Sequence, residues 1–169
     1  IDDDLAARHP QLAAELLAHR ADFASRVGRL SEAQAHVRRA VWLDPSNVFA
    51  CIMRGRVREL QGQHAEALVT LEEACAMALN SGNSRLTALA LNRLANVHWR
   101  MGAYPAAIKR FQQALQLDRD LGHKVGQAMH LGNLGIVLRE QSEYARAETC
   151  LLQALDIDQA LGNELGTAR

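Results

Sequence analysis

The sequence predicts an all-α chain, built as an α-solenoid of stacked antiparallel helix pairs. The first reason is internal repetition. Residues 91–129 laid over 131–169 agree at 13 of 39 positions, among them Leu91/Leu131, Leu94/Leu134, Val97/Val137, Tyr104/Tyr144, Ala107/Ala147, Ala114/Ala154, Asp118/Asp158, Gly122/Gly162 and Gly126/Gly166. A period of this size marks a row of supersecondary units that bury one another, not one closed core. The second reason is composition: 49% of residues are hydrophobic but only 4% aromatic. A core so poor in rings is built from Ala and Leu, which suits closely approaching helices and not sheets, whose strands favour aromatic and β-branched residues. The third is spacing. Ala107 and Ala114 bracket Phe111, and Ala147 and Ala154 bracket Leu151, which places each trio on one helical face.

The elements follow in chain order. Residues 1–13 are a tail or leading helix, in which Asp2 to Asp4 read as a solvated run. Gly62, Ala67, Leu71 and Ala74 stand 40 residues before Gly102, Ala107, Phe111 and Ala114, and Gly28, Ala33, Val37 and Ala40 stand another 34 earlier. The repeats therefore run 14–46, 47–83, 84–123 and 124–162, and residues 163–169, "NELGTAR", open a fifth that is unfinished. In the first repeat "SEAQ" at 31–34 reads as a capping box. That repeat closes at "LDPSN", where Pro45 stops one helix and Ser46 or Asn47 caps the next. The third and fourth repeats predict helices over 84–101, 104–121, 124–141 and 144–161, punctuated by the turns "MGAY", "LGHKVG", "QSEY" and "LGNELG". A start at "IDDD" without Met, together with the half-repeat, reads as a piece of a longer chain.

A small residue, three positions, an aromatic or aliphatic residue, two positions and a second small residue recur with a Gly at the inter-helix turn and, in the first repeat, a Pro after the second helix. Over about residues 12–169 this set resembles the tetratricopeptide repeat family. The later 40-residue spacing, with "LG" closing each unit and "NLG" opening the fourth, is similar to the longer repeats of LGN/Pins-type adaptors, kinesin light chains and many bacterial signalling proteins. The resemblance implies a right-handed superhelix whose first helices line a concave groove for a partner segment. Arg20 and Ala24 depart from the family's apolar and aromatic preferences, which marks the first repeat as an imperfect cap.

Composition and motif searches exclude other classes. Nineteen basic and nineteen acidic residues give a formal net charge of zero, so no global field points to nucleic acid or an acidic membrane. No apolar run approaches the roughly 18 residues that a membrane span requires, and no signal peptide is visible. Cys51, Cys75 and Cys150 lie far apart, so reduced thiols in a cytoplasmic chain are expected in place of a disulfide framework or zinc site. His64-Ala-Glu66 mimics one half of a deaminase zinc motif, but the Pro-Cys-x-x-Cys half is missing. There is no H-E-x-x-H, G-x-S-x-G or Walker-type loop, and His98 and His130 read as packing or surface residues. No enzyme, cofactor or metal is expected.

The informative residues are then those of the first helices that lie off the packing face. In the third repeat these are Asn92, Arg93, Asn96, Trp99 and Arg100, and in the fourth Gly132, Asn133, Ile136, Arg139 and Glu140. The second repeat offers Phe49, Ile52, Met53, Arg56 and Glu59; the first offers Glu15, His19, Asp22 and Arg26. By placement, Asn96 and Asn133 match two asparagines of the family's carboxylate clamp, while Asn92 stands where that clamp has a lysine. The expected function is an interaction scaffold holding an acidic peptide through Arg56, Asn92, Arg93, Asn96, Trp99, Arg100, Asn133 and Arg139. The alternative is the sensor portion of a larger bacterial signalling enzyme or transcription regulator. An uncapped last repeat also leads to the expectation of a homodimer through the C-terminal end.

Overall fold

The computed structural model describes the backbone of residues 3–167 and the side chains of residues 6–162. Among the described residues the chain is entirely helix and turn: α1 (Asp3–Arg8), α2 (Pro10–Arg26), α3 (Leu30–Leu43), α4 (Val48–Leu60), α5 (His64–Asn80), α6 (Ser84–Arg100), α7 (Tyr104–Asp120), α8 (Lys124–Glu140) and α9 (Tyr144–Thr167). They form two compact units, Ile1–Leu86 and Thr87–Arg169. Each unit is a stack of antiparallel helix pairs, the construction of a helical solenoid.

The connections after α2 and after each of α4 to α8 are short because each uses one left-handed residue. Gly28, Gly62, Gly82, Gly102 and Gly122 take φ between +65° and +79°. The N–H of the next residue then reaches back five positions to the preceding helix, as in Gln63 to the Arg58 carbonyl at 2.9 Å and His123 to the Asp118 carbonyl at 2.8 Å. This Schellman arrangement satisfies carbonyls that the helix end leaves open and reverses the chain within three residues. At the fourth repeat the same position is Ser142, with φ +62°, and Glu143 still bonds the Leu138 carbonyl at 2.9 Å.

In the first unit Leu17, Ala18, Ala40 and Ala50 form one buried cluster across α2, α3 and α4, and Ala24, Ala33 and Val57 form a second. α3 ends at Leu43 just before Pro45, and Asn47 caps α4 by accepting the Ala50 N–H at 2.9 Å. α4 and α5 meet without a gap: a Cβ added to Gly55 would lie 2.4 Å from Cγ of Leu71, which is fully buried. In the second unit Ala95, Ala107, Phe111, Leu134, Val137, Leu138 and Ala147 make the main cluster, and Leu115, Leu131 and Ala154 continue it. Gly135 plays the part of Gly55, with Leu151 Cγ 2.7 Å from its would-be Cβ.

Three local expectations are corrected. The "SEAQ" capping box does not form: the Gly28 turn starts α3 at Leu30, so Ser31 is already helical, and the N-cap, Arg29, makes no side-chain cap bond. The turn expected at "LGNELG" is absent, since α9 runs through Gly162 to Thr167. Gly162 takes a helical conformation there, unlike the left-handed glycines of the earlier turns, and the i to i−4 ladder continues through it. The side chains of the fifth-repeat opening at 163–169 lie outside the described residues. Thirdly, Ile52, Met53 and Glu59, expected on an open stripe, are at most 5% exposed and belong to the interior.

A serine held at positive φ costs about 1–2 kcal/mol against a helical or extended conformation, whereas glycine gives back up to about 1 kcal/mol through its freer unfolded chain. Ser142→Gly is therefore expected to stabilise the protein by about 0.5–1 kcal/mol, read as a higher urea midpoint at unchanged slope. An unchanged or lower midpoint would show that Ser142 is not strained.

Candidate functional site

In the second unit α6 and α8 lie side by side, and three asparagines join them. Asn92 is 1% exposed. Its Oδ1 accepts from Asn96 Nδ2 at 3.3 Å, one turn along α6, and from Asn133 Nδ2 of α8 at 3.4 Å. Its own amide points to Met129 Sδ at 3.8 Å. Asn92 thus does not face a ligand, contrary to the sequence reading. Steps of four residues advance about 40° beyond a full turn, so a stripe drawn through 92, 96 and 100 begins in the interface and ends in solvent: buried Asn92, half-buried Asn96, exposed Arg100.

Asn133, Asn96 and Arg93 are half-buried on this face. Trp99 packs its ring against the cluster that contains Ala95, Phe111 and Leu138 while remaining partly open. Arg139 is exposed and 3.4 Å from Glu140. Arg56 belongs to the first unit, where it is engaged by Asp22 with only 12% of its side chain exposed. Burial pulls that guanidinium below its ordinary range, against the opposing pull of Asp22.

A second polar constellation connects α7 to α8. Asp118, 3% exposed, has its Oδ2 3.0 Å from His130 Nε2 and its Oδ1 3.1 Å from His123 Nδ1, and its carbonyl accepts from Gln127 Nε2 at 2.9 Å. Gly126 makes room for it, since a Cβ there would fall 1.7 Å from Asp118 Oδ2. His130, expected as a packing or surface residue, is therefore half of a buried pair. The repetition of Asp118 and Gly126 as Asp158 and Gly166 was the sequence signal for it. Among the described residues no group of three or more His, Cys, Asp or Glu side chains is arranged to hold a metal, and no helix is long and apolar enough to cross a membrane. Burial pushes the Cys51 and Cys150 thiols up, away from the reactive thiolate.

Residues 86–160, which hold the asparagine trio and the Asp118–His130 pair, match the family model for the tetratricopeptide repeat. Over those residues the sequence is similar to tetratricopeptide repeats. No curated protein matches it. Among solved structures, these repeats are similar to BtubC (BKLC) from P. vanneervenii, at 20% identity over 93% of this chain and 68% of that one, with a TM-score of 0.78. MamA is similar at 18% identity over 95% and 86%, with a TM-score of 0.67, and MamA residues 41 to the end from Desulfovibrio magneticus RS-1 at 18% over 91% and 80%, with a TM-score of 0.64. At such identities the likeness is one of fold. Tetratricopeptide arrays are protein-interaction scaffolds that present extended binding faces.

The Asp118–His130 pair makes stability depend on pH. Burial holds His130 below its usual value of 6.5, and the Asp118 carboxylate and its hydrogen bond oppose that shift. The unfolded chain therefore takes up a proton near pH 6.5 that the folded chain resists. This contribution is complete above that pH and is lost as pH falls below it. The wild type is expected to lose stability through this group as pH falls below 6.5. His130→Gln, less stable at pH 7.5, is expected to show a shallower decline between pH 7 and 5.5 in denaturant titrations. Equal slopes in the two proteins would remove His130 from the effect.

Proposed function

We propose that the chain is a protein-interaction scaffold whose C-terminal unit takes an extended, acidic partner segment against the α6/α8 face. The observation that supports this most is the asparagine trio. Asn96 and Asn133 each spend one amide N–H on the buried Asn92 and keep a second N–H and a carbonyl oxygen for a ligand. An extended peptide offers the complementary pair of groups at each residue, so two amides fixed on adjacent helices can read its backbone whatever its sequence. Asn92 is a positioning residue in this reading. Arg93, Arg100 and Arg139 add guanidinium groups, whose forked N–H donors suit carboxylates. Trp99, partly open above the core, supplies an apolar contact of the kind that carries a large share of binding energy. Arg56, compensated by Asp22, is not included.

The test is affinity capture from a lysate of the source cells with three proteins of matched helicity: the wild type, Asn96→Ala/Asn133→Ala, and Arg93→Glu/Arg100→Glu. A partner protein retained by the wild type is expected to fall about tenfold in both variants, as loss of a binding hot spot would cause. A partner retained equally by all three would overturn the assignment of this face.

A further inference from the structure

The most exposed large apolar side chain among the described residues is not on the α6/α8 face. It is Trp42, 79% exposed near the end of α3 in the first unit. The repeat register shows that packing does not require it. The equivalent positions of the later repeats are Ala76, Gln116 and Asp156, all of them exposed. The solenoid thus leaves this position free, and here a tryptophan occupies it.

Its surroundings are specific. Trp42 lines two clefts. One, of ≈ 640 Å³, is shared with Ala35, Arg38, Arg39, Val41 and Arg54. The other, of ≈ 450 Å³, is shared with Ala6, Ala7, Pro10, Arg39 and Leu43. The first is basic with an apolar floor, the second largely apolar. Arg38 and Arg39 stand where the second repeat has Glu72 and Glu73, so the positive charge, like the tryptophan, belongs to this repeat alone. Arg54 lies 3.9 Å from Glu73, beyond hydrogen-bonding range, and its Nε is buried with no hydrogen-bond partner.

We propose that this face of α3 and α4 is a second docking surface, which binds an acidic peptide segment carrying one large apolar residue. Carboxylates would enter the arginine-lined cleft, the apolar side chain would enter the cleft beside Pro10 and Leu43, and Trp42 would lie between them as the anchor. Charge complementarity and the tryptophan carry the choice of partner. Arginine forks pair with carboxylates, and exposed tryptophan and arginine are the side chains most enriched at binding hot spots. A nucleic acid needs an extended basic track, whereas this chain carries as many acidic as basic residues and the cleft gathers three arginines.

The experiment is selection from a displayed library of random dodecapeptides on the full chain carrying Asn96→Ala/Asn133→Ala, so that the outcome does not depend on the α6/α8 face. The expected result is enrichment of peptides that place Asp or Glu within a few residues of Leu, Ile, Phe or Trp. Synthetic versions should bind at least about tenfold more weakly to Trp42→Ala and to Arg38→Glu/Arg54→Glu. Trp42 is so exposed that its substitution should leave the melting temperature unchanged, which circular dichroism checks. Three results would overturn the proposal: no enriched peptides, enriched peptides without acidic residues, or affinity indifferent to Trp42→Ala. Binding that depends on Trp42 but is confined to oligo-dT or phosphatidylserine vesicles would also overturn it, in favour of those ligands.

Discussion

The constraint on which the structure depends is how closely two helices of a pair must approach. In the second repeat Leu71 of α5 sits on the bare backbone of Gly55 in α4, and in the fourth Leu151 of α9 sits on Gly135 of α8. In the third, the corresponding residues are Phe111 and Ala95, both fully buried in one cluster. A large side chain lying on a small one lets the helix axes come together without a void, and contacts at van der Waals distance recover the dispersion energy that a gap would forfeit. This also explains the composition. With Ala at most interface positions the helices are already close, and a core of rings would force them apart. Glycine inside a helix costs up to about 1 kcal/mol relative to alanine. At position 55 that cost is offset by the full burial of Leu71, worth about 1.5–3 kcal/mol.

The same economy governs the junctions. Where consecutive helices are joined within three residues, a single left-handed residue reverses the chain while satisfying the last carbonyls of the preceding helix. The geometry is insistent enough that Ser142 adopts it without being glycine. Asp118 shows a related use of space. Its carboxylate enters the interface between α7 and α8 because Gly126 leaves a hollow there, and two histidines of α8 and its approach complete its hydrogen bonding. A buried carboxylate is costly unless so satisfied.

How legible this was in the sequence divides along physical lines. Helices α6 to α8 could be placed to within a residue because their apolar residues repeat with the helical period and their turns carry glycine. "SEAQ" misled because a capping signal is local, while the start of α3 is fixed by the Gly28 turn two residues before it. Asn92 misled because a helical stripe rotates as it climbs, so one end of it lies in the interface. That Asn92 would hold Asn96 and Asn133 could not be read from one dimension, since it requires α6 and α8 side by side. Trp42 was readable in principle, by asking what each position carries in the other repeats. A search confined to the first helices passes over it, because α3 is a second helix.

The last helix shows how far a repeat encodes its own burial. By register Leu151, Leu155 and Asp158 of α9 are Phe111, Leu115 and Asp118 of α7. In α7 these residues are 0%, 5% and 3% exposed; in α9 the two leucines are 42% and 50% exposed and the aspartate is open to solvent. The intrinsic preferences are alike, so the difference comes from α8, which covers α7 and brings Gly126 and His130 to Asp118. A tetratricopeptide sequence therefore specifies a surface for its successor as much as a fold for itself, and its apolar face is stabilising only once it is covered.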